Sequence, residues 1–310
     1  MARPIDSQEK RLAELKKEVN QRGFDRHALV LSNLSELPAE LQPPAVSELT
    51  TRDPIQTIIA FPPQIQRGWH YVPKQALLFT ATGVTHLLAS IWPDQEPQVT
   101  FLKGSGLMYV KVTLLLLYGF LEIVAQGADS PIRLGMEFNT VAWYCLSSPL
   151  RQLLQATKTV SCLLVDKACH SSTAKSSIEK LPLKFSNGVK SYGLLPGEEL
   201  EEFVFQAGTW KRWLYFFRQP VSADTLLLLT TNYMVVIQEE LHVKQGWILS
   251  YIPRDCITGI QIQPCGEWNE LSVQLKRGDQ LVKYELLMLT NETVEAWHNA
   301  YHSTMNSTLR

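Results

Sequence analysis

The sequence predicts a mainly β protein with a few α-helices, organised as two diverged copies of one strand-rich unit. Short apolar runs separated by Gly, Pro, Asn and Thr begin at residue 55, and each run has the length of a strand. Similar segments recur about 150 residues apart. Each series of runs ends in a segment with helical periodicity. We therefore expect two β-rich domains, each closed by a C-terminal helix, with one N-terminal helix ahead of both.

Composition limits the classes of protein to consider. The chain has 310 residues, of which 45% are hydrophobic and 19% are charged. This composition is typical of a soluble protein with two ordinary domains. The net charge is −1, which argues against a general nucleic-acid binder, because such proteins need an excess of Lys and Arg to neutralise phosphates.

Cysteine content and targeting signals favour a cytoplasmic protein. The five cysteines are few and odd in number, and a chain of this size does not need disulfides for stability. The first ten residues lack the apolar core of a signal peptide. The most apolar stretch, Val112 to Ala125, is too short to span a bilayer. Peripheral association with a membrane remains compatible with these features.

The first copy has many predicted strands. A helix over residues 7–22, with Leu12, Leu15 and Val19 on one face, precedes a proline-rich segment. Eight strand-length runs follow, and leucines at helical spacing predict a closing helix from Trp143. The predicted strands are Gln56–Phe61, Ala76–Phe79, Val84–Ala89, Gln98–Leu102, Leu107–Val112, Leu114–Tyr118, Phe120–Ala125 and Ile132–Phe138.

The second copy follows a stretch rich in Ser, Thr and Lys over residues 157–192, which favours a linker with a short ordered piece at Val160–Val165. A helix capped by Asn291 closes this copy. The predicted strands are Glu201–Phe205, Thr225–Thr230, Met234–Gln238, Trp247–Ile252, Ile257–Gln263, Leu271–Lys276 and Val282–Met288. The predicted domains are therefore an N-terminal helix and proline-rich lead (1–50), a first domain (51–157), a linker (158–192) and a second domain (193–310).

The internal repeat is clearest at a strand–turn–strand segment. Thr80 aligns with Thr230, and Thr82-Gly83 aligns with Asn232-Tyr233, both at an offset of 150. Asn and Gly tolerate the backbone conformations of tight hairpin turns. A later segment aligns best at an offset of 151. Chance is the alternative explanation, because any two β-rich stretches have similar patterns of apolar and polar residues. Here the element order, the spacing and the closing helix also agree.

Three segments of the second copy resemble the pleckstrin-homology-like superfamily, including its GRAM and bacterial branches. These are Leu194-Leu-Pro-Gly-Glu-Glu, the hairpin from Leu226 to Ile237 with its Thr-Asn turn, and Tyr251-Ile-Pro-Arg-Asp-Cys-Ile. In the first copy, Asp53-Pro54 replaces the Pro-Gly-Glu-Glu sequence. The resemblance implies two PH-like barrels or bent β-sandwiches, each closed by its C-terminal helix. It covers about two-thirds of the chain.

Two segments that mix basic and aromatic residues are candidate binding sites. Their candidate residues are Arg67, Trp69, His70, Lys74, Lys211, Arg212, Trp213 and Arg218. The superfamily's phosphoinositide signature carries several basic residues in the first strand pair, but here an aromatic run from Trp213 interrupts the spacing. In one interpretation, the aromatic residues enter a membrane interface or a partner groove and the basic residues meet anionic groups. In the other, the rings pack in the core and the charges are solvated, which is common for a half-buried strand.

The apolar run from Leu114 to Ala125 is a candidate interface. A continuous apolar strand is buried on both faces, so one face would pack into its own core and the other against the second unit or a second chain. The candidate interface residues are Leu114, Leu116 and Phe120. A charge at Leu116 is then expected to cause aggregation or to change the oligomeric size.

No local motif indicates a reaction. Ser147-Ser148 is not in a nucleophile elbow, His86 lies within an apolar strand, and the acidic run that begins at Glu198 is typical of a solvated face. Cys162, Cys169 and His170 lack the spacing of a structural zinc site. We therefore expect no catalytic residues, no metal and no cofactor.

The expected function is that of a non-enzymatic cytoplasmic binding or scaffold protein with tandem PH-like domains. A protein partner is expected first, contact with an anionic membrane surface is the alternative, and no nucleic acid is expected. A homo-oligomer is also compatible with the sequence. A different class of function stays open, namely an enzyme with its site in a cleft between the domains.

Overall fold

The computed structural model describes residues 4–21, 27–42, 53–66, 70–92, 94–156, 178–213, 217–241, 243, 246–266 and 268–308. The chain divides into two compact units. The first unit comprises Met1–Ser105, Leu117–Phe120 and Leu134–Ala156, and the second comprises Gly106–Leu116, Leu121–Arg133 and Thr157–Arg310. These units differ from the domains expected at 51–157 and 193–310, because the strand that begins at Leu107 packs with strands of the second unit.

The helices are α1 (Pro4–Gln21), α2 (Trp143–Ala156), α3 (Leu183–Gly188) and α4 (Asn291–Thr308). The helices predicted at 7–22, from Trp143 and from Asn291 overlap α1, α2 and α4. No helix in the described part of the chain is long and apolar enough to cross a membrane.

The strands are antiparallel to their neighbours. Those of the first half are β1 (Leu29–Leu31), β2 (Ile55–Phe61), β3 (Gln64–Gln66), β4 (His70–Val72), β5 (Gln75–Thr80), β6 (Gly83–Leu88), β7 (Gln98–Lys103), β8 (Leu107–Leu115), β9 (Tyr118–Ala125) and β10 (Ile132–Phe138). Those of the second half are β11 (Leu200–Gln206), β12 (Thr209–Trp213), β13 (Phe217–Ser222), β14 (Thr225–Thr230), β15 (Tyr233–Glu239), β16 (Trp247–Pro253), β17 (Ile257–Cys265), β18 (Trp268–Arg277) and β19 (Gln280–Leu289).

The first unit is built on a five-stranded sheet with the order β1-β2-β5-β6-β7. Helix α2 packs against β2 and β5 through its buried leucines, because the leucines recur at helical spacing on one face. A small apolar cluster around Leu41 and Leu78 fills one side of the sheet. On the strand that leads into α2, the ring of Phe138 packs 6.4 Å from the ring of Phe61.

The second unit contains strands in the order β9-β8-β16-β15-β14-β11 and a separate three-stranded sheet with the order β17-β18-β19. Helix α4 packs against β11 and β18, and Trp297 is fully buried at the centre of the core cluster. Tyr109 and Tyr284 meet edge to face in the same cluster, with ring centroids 5.2 Å apart. Such aromatic pairs stabilise a core beyond simple area burial.

The mainly β class is confirmed, with several antiparallel sheets and few helices. None of the sheets formed by the described residues closes into a barrel. The strand lengths agree with short, half-buried antiparallel sheets rather than long continuous strands.

The interpretation of Leu114–Ala125 as one continuous buried strand is wrong. Strand β8 ends at Leu115, β9 begins at Tyr118, and the two residues between them form a hairpin turn. Leu116 and Leu117 are each 67% exposed. The sequence could not mark this turn, because neither position carries the Gly, Asn, Asp or Pro that usually indicates one.

The segment expected to be a linker is partly packed core. Helix α3 and the π-helical turn Val189–Gly193 lie within residues 158–192, apart from the last residue of the turn. Phe185 is fully buried, with its ring 5.1 Å from the ring of Phe205 and 5.4 Å from that of Trp247. The helix is too short to show a hydrophobic period. The predicted ordered piece Val160–Val165 lies outside the described residues.

Candidate binding surface

The two basic and aromatic segments form small hairpins at equivalent places in the chain. Strands β3 and β4 follow β2, and strands β12 and β13 follow β11. In the chain, each hairpin therefore connects two strands that pair with each other, because β2 pairs with β5 and β11 pairs with β14.

The structure separates the candidate residues of the first hairpin. His70 lies at the start of β4, opposite Gln66, and is exposed. The ammonium group of Lys74 forms an ion pair with the carboxylate of Glu40 at 2.5 Å, so its charge is already partnered. Arg67 and Trp69 lie outside the described residues.

The candidate residues of the second hairpin share two paired strands. Lys211, Arg212 and Trp213 lie on β12, and Arg218 lies on β13. The backbone register puts Arg212 opposite Arg218. The indole of Trp210, at the start of the same hairpin, is exposed.

Glu137 brings together two parts of the first unit that the sequence had suggested separately. Its carboxylate lies 3.8 Å from Nε2 of His70 and accepts a hydrogen bond of 3.4 Å from the hydroxyl of Tyr118. Among the described residues the buried oxygen Oε2 has no hydrogen-bond partner, and Nε2 of His70 is the ring nitrogen that lies 3.8 Å from it. The candidate hairpin β3–β4 and the start of β9 therefore meet at one point.

An exposed apolar patch lies beside this meeting point. The carbonyl of Leu117 accepts a hydrogen bond from the N–H of Thr140, so the residues that follow Thr140 lie next to the turn. Among them, Val141 is 43% and Tyr144 is 68% exposed. We call His70, Leu117, Val141 and Tyr144 the Leu117 surface. Of the predicted interface residues, Leu116 precedes it in the exposed turn, and Leu114 and Phe120 are half-buried.

The turn before the Leu117 surface has an unusual backbone. Leu116 has a φ of 49°, in the left-handed region that costs an L-residue roughly 1–2 kcal/mol. The turn after β17 has Gly266 with a φ of 66° in the same relative position, 150 residues later. Glycine adopts this conformation without strain. The first turn therefore has a leucine at the left-handed position, where the second turn has the glycine that suits this conformation.

A buried polar network supports the backbone of Glu137. Nε2 of His86 lies 3.1 Å from Oε1 of Gln75, and the Gln75 amide donates a 2.6 Å hydrogen bond to the carbonyl of Glu137. Burial lowers the pKa of His86 to about 4, so the ring is neutral and donates from Nε2 to Gln75. His86 therefore has a packing role, and the network links β5 and β6 to β10.

Two acidic residues have a structural role that sequence reasoning missed. Glu198 was expected on a solvated face, but it is buried and accepts hydrogen bonds from the N–H of Asn232 and the hydroxyl of Thr230, both at 2.9 Å. Asp53 accepts hydrogen bonds from the N–H of Thr82 at 3.0 Å and from its hydroxyl at 2.5 Å. The hydroxyls of Thr80 and Thr82 lower the pKa of Asp53. Each carboxylate thus holds the turn of a hairpin.

Three cavities lie in the first unit. One of 150 Å³ beneath α1 is lined by Arg11, Tyr71, Lys74 and Trp92 among others, one of 210 Å³ lies between Leu31–Leu34 and Ile55–Ile58, and one of 430 Å³ lies beside Gln152 and Gln155. None of these three cavities is lined by a histidine or a cysteine.

The described residues hold no group of three or more His, Cys, Asp or Glu side chains that could bind a metal ion. His298 and His302 on α4 come nearest, with their Nε2 atoms 3.0 Å apart, but structural zinc sites use four ligands. Cys162, Cys169 and His170 lie outside the described residues.

The chain was compared with protein-family models and with curated proteins. No protein-family model matches the chain, and no curated protein matches it.

Proposed function

We propose that the chain is a non-enzymatic cytoplasmic binding or scaffold protein with two PH-like domains, and that the Leu117 surface contacts a partner protein. The observation that carries this proposal is the contrast between two equivalent turns. The first presents Leu116 and Leu117 to solvent and accepts an unfavourable φ, whereas the second has the sequence Gly266-Glu267. Strained residues persist where function requires them.

The positions of the strands support the two-copy interpretation. Four pairs of strands begin 150 residues apart, namely those that start at Gln75 and Thr225, at Gly83 and Tyr233, at Leu107 and Ile257, and at Tyr118 and Trp268. The 3-10 turns Gly104–Gly106 and Arg254–Cys256 have the same spacing, which favours an offset of 150 over the 151 suggested by sequence comparison for this segment. Chance similarity between β-rich stretches does not explain a constant spacing.

Hydrogen bonds at the hairpin turns support the same interpretation. Thr80 accepts from the N–H of Gly83 at 3.1 Å, and Thr230 accepts from the N–H of Tyr233 at 3.2 Å. The N–H of Gly104 donates to the carbonyl of Thr82, as the N–H of Arg254 does to that of Asn232, which the same offset relates. The same hydrogen bonds, including those to the carboxylates that hold the turns, therefore occur at equivalent positions in both copies.

The element order agrees with the PH-like superfamily. In each copy, four strands that pair as one antiparallel group are followed by three more strands and then a helix. The first copy consists of β2, β5, β6, β7, β8, β9, β10 and α2, and the second of β11, β14, β15, β16, β17, β18, β19 and α4. Seven strands and one closing helix are what the resemblance implies for each domain. The domain boundaries 51–157 and 193–310 belong to this proposal.

A protein partner fits the chemistry of the surface better than an anionic membrane does. Tyrosine is enriched at protein interfaces and their buried centre is apolar, and the Leu117 surface combines Tyr144 with Leu117 and Val141. A membrane surface with anionic lipids attracts clusters of Lys and Arg. Here Glu137 lies beside His70, Lys74 is paired with Glu40, and the net charge of the chain is −1.

Site-specific photo-crosslinking tests the proposal. A photoreactive amino acid at Tyr144, in the full chain expressed in its own cells, is expected to give a discrete covalent adduct with one protein. The matched control is the same amino acid at Val30, an exposed apolar residue on β1. Adducts at Tyr144 no stronger than those at Val30 would contradict a partner protein. Co-sedimentation of the purified chain with anionic but not zwitterionic vesicles, lost on Leu117→Glu, would instead favour the membrane surface.

A further inference from the structure

Strand β8 pairs with β16, and alternate residues of the paired segment are buried. The two strands run antiparallel, with Val110 opposite Tyr251 and Val112 opposite Leu249. All four side chains are buried. Strands β8 and β16 lie in different copies of the repeat. The fifth strand of one copy therefore pairs here with the fourth strand of the other.

The counterparts of these two strands are both sheet edges. The counterpart of β8 is β17, which begins 150 residues later and is the outer strand of its sheet. The counterpart of β16 is β7, the outer strand of the five-stranded sheet. Outer strands expose unpaired backbone N–H and C=O groups that can pair with another chain.

The exposed apolar residues of these edges occupy the positions that are buried in the β8–β16 pair. An offset of 150 relates Val112 to Ile262 and Leu249 to Val99, which are 39% and 38% exposed. The same offset relates Tyr251 to Phe101, which is 41% exposed. The fourth counterpart is Ile260, the partner of Val110, which is only partly buried. Three of the four positions are thus buried where the strands are paired and exposed where they are not, and the fourth changes from buried to partly buried.

We propose that β17 of one chain pairs antiparallel with β7 of a second copy of this chain, in the register of the β8–β16 pair. This register puts Ile262 opposite Val99 and Ile260 opposite Phe101. The main-chain ladder provides the affinity, and burial of the four apolar side chains fixes the register. The inference concerns self-association and does not rest on the proposed function of the Leu117 surface.

A second copy is the occupant that the residues favour, because this chain supplies both edges and already contains one example of the pairing. Edge strands that must stay single usually carry charges that prevent pairing. The exposed half of β17, from Gln261 to Cys265, has none. Pro264 lacks an N–H, so the ladder is expected to end beside it. Each chain has one β7 and one β17, which allows a closed dimer with two such contacts or a head-to-tail chain.

Disulfide trapping tests the register. The background is the full chain with Cys162, Cys169 and Cys265 changed to Ser, which leaves the buried Cys145 and Cys256. An equal mixture of the Val99→Cys and Ile262→Cys variants is expected to form a disulfide-linked dimer under mild oxidation, whereas each variant alone is not. The control mixture of Val99→Cys with Ile260→Cys is two residues out of register, where Cα atoms more than about 7 Å apart cannot be bridged. No dimer in the first mixture, or equal yields in both, would overturn the proposal.

Sedimentation equilibrium tests the association itself. The wild-type chain is expected to show a mass that rises with concentration through the micromolar range. Ile262→Lys should weaken this association by at least about tenfold. The matched control is Leu281→Lys, which adds the same charge at an exposed leucine on β19 and should leave the association unchanged. A wild-type mass of one chain at every concentration would overturn the proposal, as would equal weakening by the two substitutions in folded variants.

Discussion

The carboxylate of Glu198 accepts a hydrogen bond of 2.9 Å from the backbone N–H of Asn232, and it holds the turn between β14 and β15 in place. The side-chain amide of Asn232 donates a second bond of 2.7 Å to the same carboxylate. In the first copy, Asp53 bonds the N–H and hydroxyl of Thr82 in the equivalent turn. Asp53 and Glu198 are thus equivalent, although the sequences around them share only a proline, whose position differs.

Glu198→Ala should destabilise the protein, because it removes a buried carboxylate that accepts several hydrogen bonds. We expect the free energy of unfolding to fall by about 2 kcal/mol, since hydrogen bonds to charged groups contribute about 1.5–3 kcal/mol each and water partly replaces them. Urea unfolding measures the change. The control is Glu199→Ala, at an exposed neighbour, which should change stability by less than about 0.5 kcal/mol. Equal effects of the two substitutions would contradict the role of Glu198.

Leu116→Gly should leave the protein as stable as the wild type or slightly more stable. Relief of the left-handed strain gains roughly 1–2 kcal/mol, and the added freedom of glycine in the unfolded chain costs roughly 0.5–1 kcal/mol. Leu117→Gly has no such relief, because Leu117 does not have a positive φ, and it should destabilise. Denaturant unfolding of both variants gives the comparison, and a loss of more than about 1 kcal/mol for Leu116→Gly would contradict the strain.

The exposure of Leu116 also changes the outcome expected for a charge at this position. If Leu116 lay on a continuous buried strand, a charge at this position would cause aggregation or change the oligomeric size. Because the side chain is 67% exposed, Leu116→Asp removes little buried area and should stay folded and soluble. Its melting temperature and elution volume should match those of the wild type, and precipitation on expression would argue for a buried position.

His86 should make stability depend on pH. Its pKa in the folded protein is about 4, below the ordinary value of 6.5, because burial disfavours the charged ring. The unfolded chain therefore binds a proton more readily between these values, so the stabilisation is present above pH 6.5 and is lost as the pH falls towards 4. Well below pH 4, the free energy of unfolding has lost about 3 kcal/mol through the protonation of His86.

His86→Gln should remove this part of the pH dependence. The difference in unfolding free energy between pH 7.5 and pH 4.5 is measured by urea unfolding for both chains, and it should be larger for the wild type because only the wild type has a buried imidazole to protonate. Carboxylates titrate in the same range in both chains and cancel in the comparison. The same slope in both chains would show that His86 does not control this loss of stability.

Hydrophobic patterning predicted much of the fold. The runs Thr225–Thr230 and Ile132–Phe138 coincide with β14 and β10, and a helix begins at Asn291. The expected cap at Asn291 is wrong, because the hydroxyl of Thr290 caps this helix by accepting a 3.2 Å hydrogen bond from the N–H of Thr293. These elements depend on local periodicity and capping, which are properties of short segments. The candidate hairpins around residues 64–72 and 209–222 were recognised as distinct segments but not as paired strands.

The features that were missed depend on distant partners. Glu198 looks like part of an acidic surface run until Asn232, 34 residues away, is brought beside it. The meeting of His70 and Tyr118 at Glu137 brings together residues from three separate strands, β4, β9 and β10. The turn at Leu116 carries no residue that marks a turn. In the first two cases the missing information is long-range, and in the third the local sequence lacks the residues that usually mark a turn.

The effect of Leu117→Glu on photo-crosslinking from Tyr144 tests the proposed function most directly. Both residues lie on the Leu117 surface, and Leu117 is exposed enough for the variant to fold, which a melting curve checks. We expect a single partner adduct in the wild type and its loss in Leu117→Glu, with no loss in the control Val30→Glu. An adduct of equal yield in all three chains would contradict a binding role for the Leu117 surface.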